Sequence, residues 1–399
     1  MARAIGSSSF PPSHRLDAPA APSRARTGSR GATLVAEWRP LAALAADSAP
    51  WRDLVGRALE PNVFLEPDFA SAALAADLGG AEIGAVTVRA DTRLVALLPG
   101  QVEGFASGRP MPAFVAWTHP FAPLSTPLVD RDSAADVIAA MLDYLPWLPG
   151  SPRVALFPLI AEDGPVARLI AGGRRIRRFA AHQRAALMPG KKAGVAASSG
   201  KLKELRRQRR RLAELGEIAL ETVQTAREVE DAVARYLQVE AAGWKGRTGS
   251  AATSDQQATQ FLTDAVTGLA NEGKARVDLL KLDGRAIAAT ITLLAGDHVW
   301  FWKTAYDETF ARFSPGVQLA LDLTESLAGD ARIALVDSCA VADHPMIDHL
   351  WSGRRKIADW LVPLGGLASF AAAIAAEHAR RAAVAGAKTV RDRLVADQT

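Results

Sequence analysis

Three successive stretches of the chain, Ala275–Leu282, Arg285–Leu294 and Val299–Ala305, read as strands, the last with its two faces alternating at a period of two. That period marks strands. In the third stretch Trp300, Trp302 and Thr304 fall on one face, and Phe301, Lys303 and Ala305 on the other. Asp283-Gly284 separates the first two stretches and is a strong hairpin signal. Gly296-Asp297 supplies the next turn. The period then changes. Val317, Ala320, Leu321 and Leu327 recur at helical spacing, Gly329-Asp330 ends the helix, and Arg332–Val336 reads as a short strand delivering Asp337. The predicted order is strand, strand, strand, helix, strand.

The helix in that order starts at Ser314-Pro315-Gly316. Serine suits an N-cap, and proline suits the first helical position, where its missing N–H costs nothing. Gly316 has no Cβ to keep a ligand away from the backbone. Such a helix start presents free N–H groups and a positive dipole end, which favours phosphate or pyrophosphate. The same residues also fit an ordinary capped helix after a strand, and the pattern leaves both open.

Residues 33–180 read as a first α/β region. Helices are expected at Trp51–Leu59, Asp68–Leu78 and Ser133–Tyr144, a strand hairpin at Ile83–Leu98 broken near Asp91, and a strand at Arg153–Leu159. The Pro-rich stretch His119–Pro127 reads as a stiff connector, with a substrate pocket as the alternative. Pro189–Ser199 has linker composition. Lys201–Arg211 then holds seven Lys or Arg residues and one acid, a charged helix that could also meet an anionic partner. Thr225-Ala-Arg-Glu228 has the form of a capping box and opens a helix. Glu240 lies on that helix's apolar stripe, so it must be exposed at the end, paired, or functional as a base or acceptor-binding group. Gly243–Gly249, with Trp244, Lys245 and Arg247, reads as an aromatic-bearing loop over a ligand or a plain connector. Trp351–Lys356 is expected to run on into an apolar helix, and residues 366–399 into an Ala-rich helical tail.

Composition narrows the classes. A chain of 399 residues, 49% hydrophobic and 23% charged, can bury a large core and suggests two domains. The single cysteine, Cys339, excludes an intrachain disulfide and a multi-cysteine metal site. No run reaches the ~18 apolar residues of a membrane span, and the Arg- and Ser-containing residues 1–31 lack both a signal-peptide core and apolar periodicity, so they read as a disordered tail on a cytoplasmic protein. That tail holds five arginines and one aspartate, and the whole chain is +4, which leaves residues 32–399 neutral. The chain is therefore not a globally basic nucleic-acid binder. P-loop, Gly-x-Ser-x-Gly and His-Glu-x-x-His signatures are absent, and no metal site is expected.

Lys303-Thr-Ala-Tyr-Asp307, Ser314-Pro-Gly-Val317, Leu237–Gly249 and Leu212–Ile218 together resemble the GNAT acyltransferase superfamily, in the branch that holds BioF-like, CelD-type acetyltransferases and FemAB-type transferases. The resemblance is dense over 198–361 and thinner over 33–180. It implies a mixed α+β fold of tandem GNAT-like domains, each a twisted, mostly antiparallel sheet flanked by helices. The degenerate copy would span 32–188, the linker 189–199 and the intact acyltransferase copy 200–365. It implies transfer of an acyl group, acetyl in the first instance, from an acyl-CoA co-substrate to an amine on a small molecule or glycan. The branch connects such transfer with polysaccharide or envelope biosynthesis. In that picture two strands, 299–305 and 332–336, splay apart to admit pantetheine, and Ser314, Pro315, Gly316, Val317 and Gln318 hold the pyrophosphate. Asp337 is the base candidate, Tyr306 the acid that reprotonates the thiolate, and Glu240 a further catalytic candidate. Trp244, Lys245, Arg247 and Lys303 are the acceptor-side candidates. The glycine content of the turn is low for the superfamily, and two alternatives stand beside the main reading: an aminoacyl-tRNA-dependent transferase and a non-catalytic partner of polysaccharide assembly.

Overall fold

The computed structural model describes residues 22–29, 31–78, 83–107, 109, 111–189, 198–243 and 251–396. Its strands in the first half are β1 (Arg24–Thr27), β2 (Thr33–Pro40), β3 (Gly84–Ala90), β4 (Arg93–Glu103), β5 (Ala113–Ala116), β6 (Leu128–Val129), β7 (Val154–Ala161) and β8 (Arg177–Leu187). Those in the second half are β9 (Ile218–Val223), β10 (Ala275–Leu282), β11 (Arg285–Ala295), β12 (His298–Tyr306), β13 (Leu335–Asp337) and β14 (Gly353–Pro363). The chain forms two compact units. Of the described residues, the amino-terminal unit takes those from Pro22 to Glu60, those within Gly79–Ala181 and those from Ile357 on; the carboxy-terminal unit takes Pro61–Leu78 and those within His182–Lys356. The mixed α/β class with mostly antiparallel sheets is thus present in both.

In the amino-terminal unit β1, β2, β3 and β4 run antiparallel in sequence order. Beyond β4 lie β5 and β6, both antiparallel to it, and β5 is parallel to β7. The helix Ala134–Tyr144 buries Val137, Ile138 and Met141 against Val86, Val88, Leu98 and Phe114. Two elements differ from expectation. The supposed tail contributes β1, because Arg24–Thr27 pairs in register with Thr33–Ala36 and Arg24 stacks on Trp147 at 3.6 Å. The residues after Trp351 form a strand, not a helix. The run Ile357–Val362 is apolar without a decisive period, and pairing with β7 settles it. The Ala-rich helix Leu367–Ala396 follows, with Phe370, Ala373 and Glu377 buried.

In the carboxy-terminal unit β9, β10, β11 and β12 form an antiparallel meander, β12 is parallel to β13, and β13 is antiparallel to β8. The β10–β11 hairpin turns on Asp283 and Gly284, with φ of 47° and 81°. Two consecutive left-handed residues match the twist of the flanking strands, and glycine takes one of them without steric cost. One sheet face is aromatic: Trp300 meets Phe64, and Trp302 meets Phe69 and Phe261, in edge-to-face pairs with centroids 5.5–6.3 Å apart. Phe64 and Phe69 come from 61–78, a segment whose sequence position puts it in the first domain but which belongs to the second unit by its packing. Phe301 points the other way, toward Trp351, among Val299, Leu319 and Leu323.

Candidate active site

The parallel join is short. β12 and β13 pair only at His298 with Leu335, Val299 with Val336 and Trp300 with Asp337. β13 then ends, whereas β12 continues along β11 to Tyr306. The β12–β13 pairing therefore stops at Trp300, and the two strands part from there. The register of β11 with β12 shifts at this place, because Thr292 faces Phe301, Ile291 faces Lys303, and Trp302 is the extra residue. A bulge of this kind bends a strand and re-aims its side chains. It ends the strict alternation expected across 299–305.

The helix Pro315–Ala328 begins soon after β12 ends. Ser314 stands at the N-cap, but with φ 50° and ψ 51° it is left-handed and its hydroxyl caps no amide, a difference from the expected capping. Its carbonyl instead accepts from the Val317 and Gln318 amides, both at 3.0 Å. Pro315 has no N–H, so the Gly316 amide is left as the first-turn donor with no acceptor among the described residues. Pro315, Gly316 and Gln318 are buried and Val317 partly so. A Cβ on Gly316 would lie 3.3 Å from the Tyr306 ring, which covers the turn. Gln318 Nε2 donates to the Phe313 carbonyl at 2.7 Å, and Gln318 Oε1 accepts from Arg209 at 3.3 Å. Arg209 belongs to the basic helix Ser199–Ala213 and also pairs with Asp322 at 2.9 Å.

Asp337 is not a carboxylate open to the crevice, as the sequence suggested. It is fully buried, and its Oδ2 accepts from Arg184 at 2.6 Å and Arg355 at 2.8 Å. Its Oδ1 accepts the Cys339 amide at 3.0 Å. Burial alone would raise its pKa, but the two guanidiniums outweigh burial and lower it. A carboxylate held ionised in this way is a weak proton acceptor. The Cys339 thiol is pushed up by burial and then by Asp337, so it is no thiolate nucleophile at neutral pH. His298 is pushed down, mainly by burial, and its Nδ1 lies 2.7 Å from Asp297. Arg184 escaped the sequence reading. Its signal was a charged residue directly before the apolar Ala185-Ala186-Leu187 at the end of β8.

The remaining candidates divide. Tyr306 is half-buried, with its ring over Gly316 and its carbonyl 3.0 Å from where a Cβ on Gly243 would sit, so it joins the helix mouth to the end of the helix Ala226–Ala241. Glu240 is buried; its Oε1 accepts from the Tyr236 hydroxyl at 3.1 Å and its Oε2 from the Ala252 amide at 3.0 Å. Tyr236 is held well above its ordinary pKa by burial and by that carboxylate. Glu240 thus ties down the chain at Ala252. The capping box expected at the other end of this helix is absent as such: the Thr225 hydroxyl meets the Glu228 carboxylate at 2.6 Å and caps no amide. Lys303 is half-buried, its Nζ 5.4 Å from the Trp302 ring centroid. Trp244, Lys245 and Arg247 lie outside the described residues, as does most of the linker read at 189–199.

Residues 199–344 match the sequence profile described as "Acetyltransferase (GNAT) domain", so the resemblance drawn from the motifs holds over that segment. No curated protein matches the chain. Among solved structures, the chain is similar to the C-terminal domain (DUF2156) of a protein described as a lysylphosphatidylglycerol synthetase, from Agrobacterium fabrum. The identity is 14%, the alignment covers 83% of this chain and 95% of that one, and the TM-score is 0.51. At that identity the likeness concerns fold. FemX aligns at 10% identity over 78% of this chain and 93% of its own, with a TM-score of 0.47. A tandem GNAT protein from the clavulanic acid pathway aligns at 17% over 83% and 99%, with a TM-score of 0.42. Among the described residues no helix is long and apolar enough to cross a membrane.

Proposed function

We propose that this acyltransferase-type chain moves an acyl group, acetyl in the first instance, from an acyl-CoA to an amine in the crevice where β12 and β13 part. The observation that carries the reading is the three-pair join, beyond which β13 ends while β12 runs on along β11 to Tyr306. A strand that outruns its neighbour is where the amides of a pantetheine arm would lie, in the manner of strand addition. GNAT-type domains generally take acyl-CoA as co-substrate, and the profile match supports that donor here. Ser314–Gln318 would receive the pyrophosphate once the Tyr306 ring swings from Gly316, with the Gly316 amide as the first donor.

In this reading no covalent enzyme intermediate forms. A neutral amine attacks the thioester carbonyl, the thiolate leaves, and the proton lost from nitrogen ends on sulfur, with Tyr306 placed to pass it on. Asp337 acts from behind, by fixing Arg184 and Arg355 at the point where the strands separate. Glu240 acts by anchoring the chain at Ala252. The acceptor could belong to polysaccharide or envelope assembly. An aminoacyl-tRNA donor is the second reading, favoured by the basic helix Ser199–Ala213, whose Arg209 touches the helix that would hold the phosphates.

Calorimetric titration with acetyl-CoA tests the donor. Micromolar binding is expected, absent in Gly316→Trp and weakened but present in Gly316→Ala, which adds only a methyl 3.3 Å from Tyr306. Equal binding by a Gly316→Trp variant with unchanged circular dichroism would refute the proposed pyrophosphate site. Binding of aminoacyl-tRNA and not of acetyl-CoA would move the assignment to the second reading.

A further inference from the structure

The helix Ser199–Ala213 turns a row of unspent cations to the solvent. Lys203, Arg206 and Arg210 are exposed, and their side chains have no ion-pair partner among the described residues. Steps of three and four residues put them on one face of the helix. Their neighbours are already engaged: Arg207 pairs with Glu204 at 2.6 Å and Arg209 with Asp322 at 2.9 Å. Leu205 and Leu212, both buried, mark the packing side. Residues 32–399 carry no net charge, so this face is a local excess.

The face is tied to the helix mouth. Arg209 also donates to Gln318 Oε1 at 3.3 Å, two residues past Gly316, and Gln318 Nε2 donates to the Phe313 carbonyl just before the turn. The basic helix packs on Glu308–Phe313, the segment that leads into Ser314. Arg209 is neutralised by Asp322, so it fixes the helix in place and is not itself a ligand's partner. Arg206 lies three residues before Arg209 and four before Arg210, spacings at which Cβ atoms on a helix surface are about 5–6 Å apart. The unspent charge therefore starts one side chain away from the contact with Gln318. A guanidinium offers phosphate a planar fork of donors, and the charge strengthens each bond.

We propose that Arg206 and Arg210, with Lys203 beside them, bind a phosphate on the adenosine ribose of the donor, separate from the pyrophosphate at Ser314–Gln318. Resting on the transfer reading above, this gives the donor site a preference for a phosphorylated adenosine. Acyl-CoA carries that phosphate at the ribose 3′ position, and an aminoacyl-tRNA carries one on the 5′ side of its terminal adenosine. No bond to this phosphate changes in the reaction; it holds the donor.

The test is calorimetric titration of the full chain with acetyl-CoA and acetyl-dephospho-CoA, which differ only in the ribose phosphate. Acetyl-CoA is expected to bind about tenfold more tightly, the scale of one charge-assisted hydrogen bond. The double variant Arg206→Gln, Arg210→Gln should bring acetyl-CoA to the affinity of the dephospho form, and lysine at both positions should keep most of the preference. Added salt should narrow the gap in the wild type. Both positions are exposed, so circular dichroism should not change. Equal affinity for the two esters in the wild type, or an equal loss for both in the glutamine variant, overturns the proposal. A glutamine variant that loses only binding to vesicles of anionic phospholipid, with both esters bound alike, would make this face a membrane contact and also overturn it. The donor reading fails differently, by binding of neither ester. The assignment of this face then stands if retention of an aminoacyl-tRNA on a filter falls about tenfold in the glutamine variant, and falls if retention is unchanged.

Discussion

The two units build their parallel joins alike and then diverge. In the amino-terminal unit β5 and β7 pair at three positions, Ala113 with Val154 through Val115 with Leu156, the same number as β12 with β13. A helix links the parallel strands in each case, Ala134–Tyr144 in one and Pro315–Ala328 in the other. What differs is the strand that enters the join. β12 is nine residues long and follows β11 along its whole length, with one bulge at Trp302. Its counterpart along β4 is interrupted: β5 covers Gly100–Glu103, the chain leaves as Trp117–Pro127, and β6 resumes at Ala96 and Leu97. Trp117, His119, Leu124, Ser125 and Thr126 of that excursion are all buried. The Pro-stiffened stretch noted in the sequence therefore interrupts its unit's strand line with buried side chains, whereas in the carboxy-terminal unit β12 continues past the end of β13.

The largest effect is expected at the buried ion triad of the carboxy-terminal unit. Asp337→Ala leaves Arg184 and Arg355 buried without their carboxylate, a loss of roughly 3–5 kcal/mol that urea unfolding should register. The sign of its pH dependence is fixed. The folded pKa of Asp337 is lowered, so its contribution is complete above the unfolded aspartate pKa near ~3.9 and fades as pH falls through the lower folded value. Between pH 7 and pH 3 the wild type should lose part of this contribution, and Asp337→Ala should not.

The amino-terminal unit has its own buried anchor, and disturbing it should leave the crevice unit intact. Glu377 accepts from Arg109 at 2.8 Å, Arg380 at 2.7 Å and Arg381 at 2.7 Å, and its pKa is held at about 2, against burial, chiefly by Arg380. Glu377→Gln should cost about 2 kcal/mol, half the scale of a fully buried pair, and speed proteolysis of the helix Leu367–Ala396. Acetyl-CoA affinity should not change. A change of more than about threefold, or ~0.65 kcal/mol, would break the functional separation of the two units.

Much of the carboxy-terminal unit was legible in the sequence. Asp283-Gly284 and Gly296-Asp297 mark its turns through local backbone demands, and the meander and helix follow from period. Three features were not, each because it depends on contacts distant along the chain. Ile357–Val362 becomes a strand only because β7 is there to pair with it. Phe64 and Phe69 join an aromatic core more than 200 residues away in sequence, at Trp300 and Trp302. Asp337 looked available because its partner Arg184 lies 153 residues earlier. The bulge at Trp302 left no mark in an alternation that reads as regular.

The smallest effect should come from the exposed pair of Asp330 with Arg332, 2.7 Å apart at the end of the helix Pro315–Ala328. Solvent screens such a pair, and Arg332→Ala should leave the melting temperature and acetyl-CoA binding unmoved. A clear shift in either would extend the site to a surface given no role in this account.

The most direct test is hydrogen exchange with and without acetyl-CoA. Protection gained at Phe301–Tyr306 and Gly316–Gln318, with Trp117–Pro127 unchanged, is the predicted result. Protection gained at Trp117–Pro127, or none at Phe301–Tyr306 under saturating ligand, would contradict it.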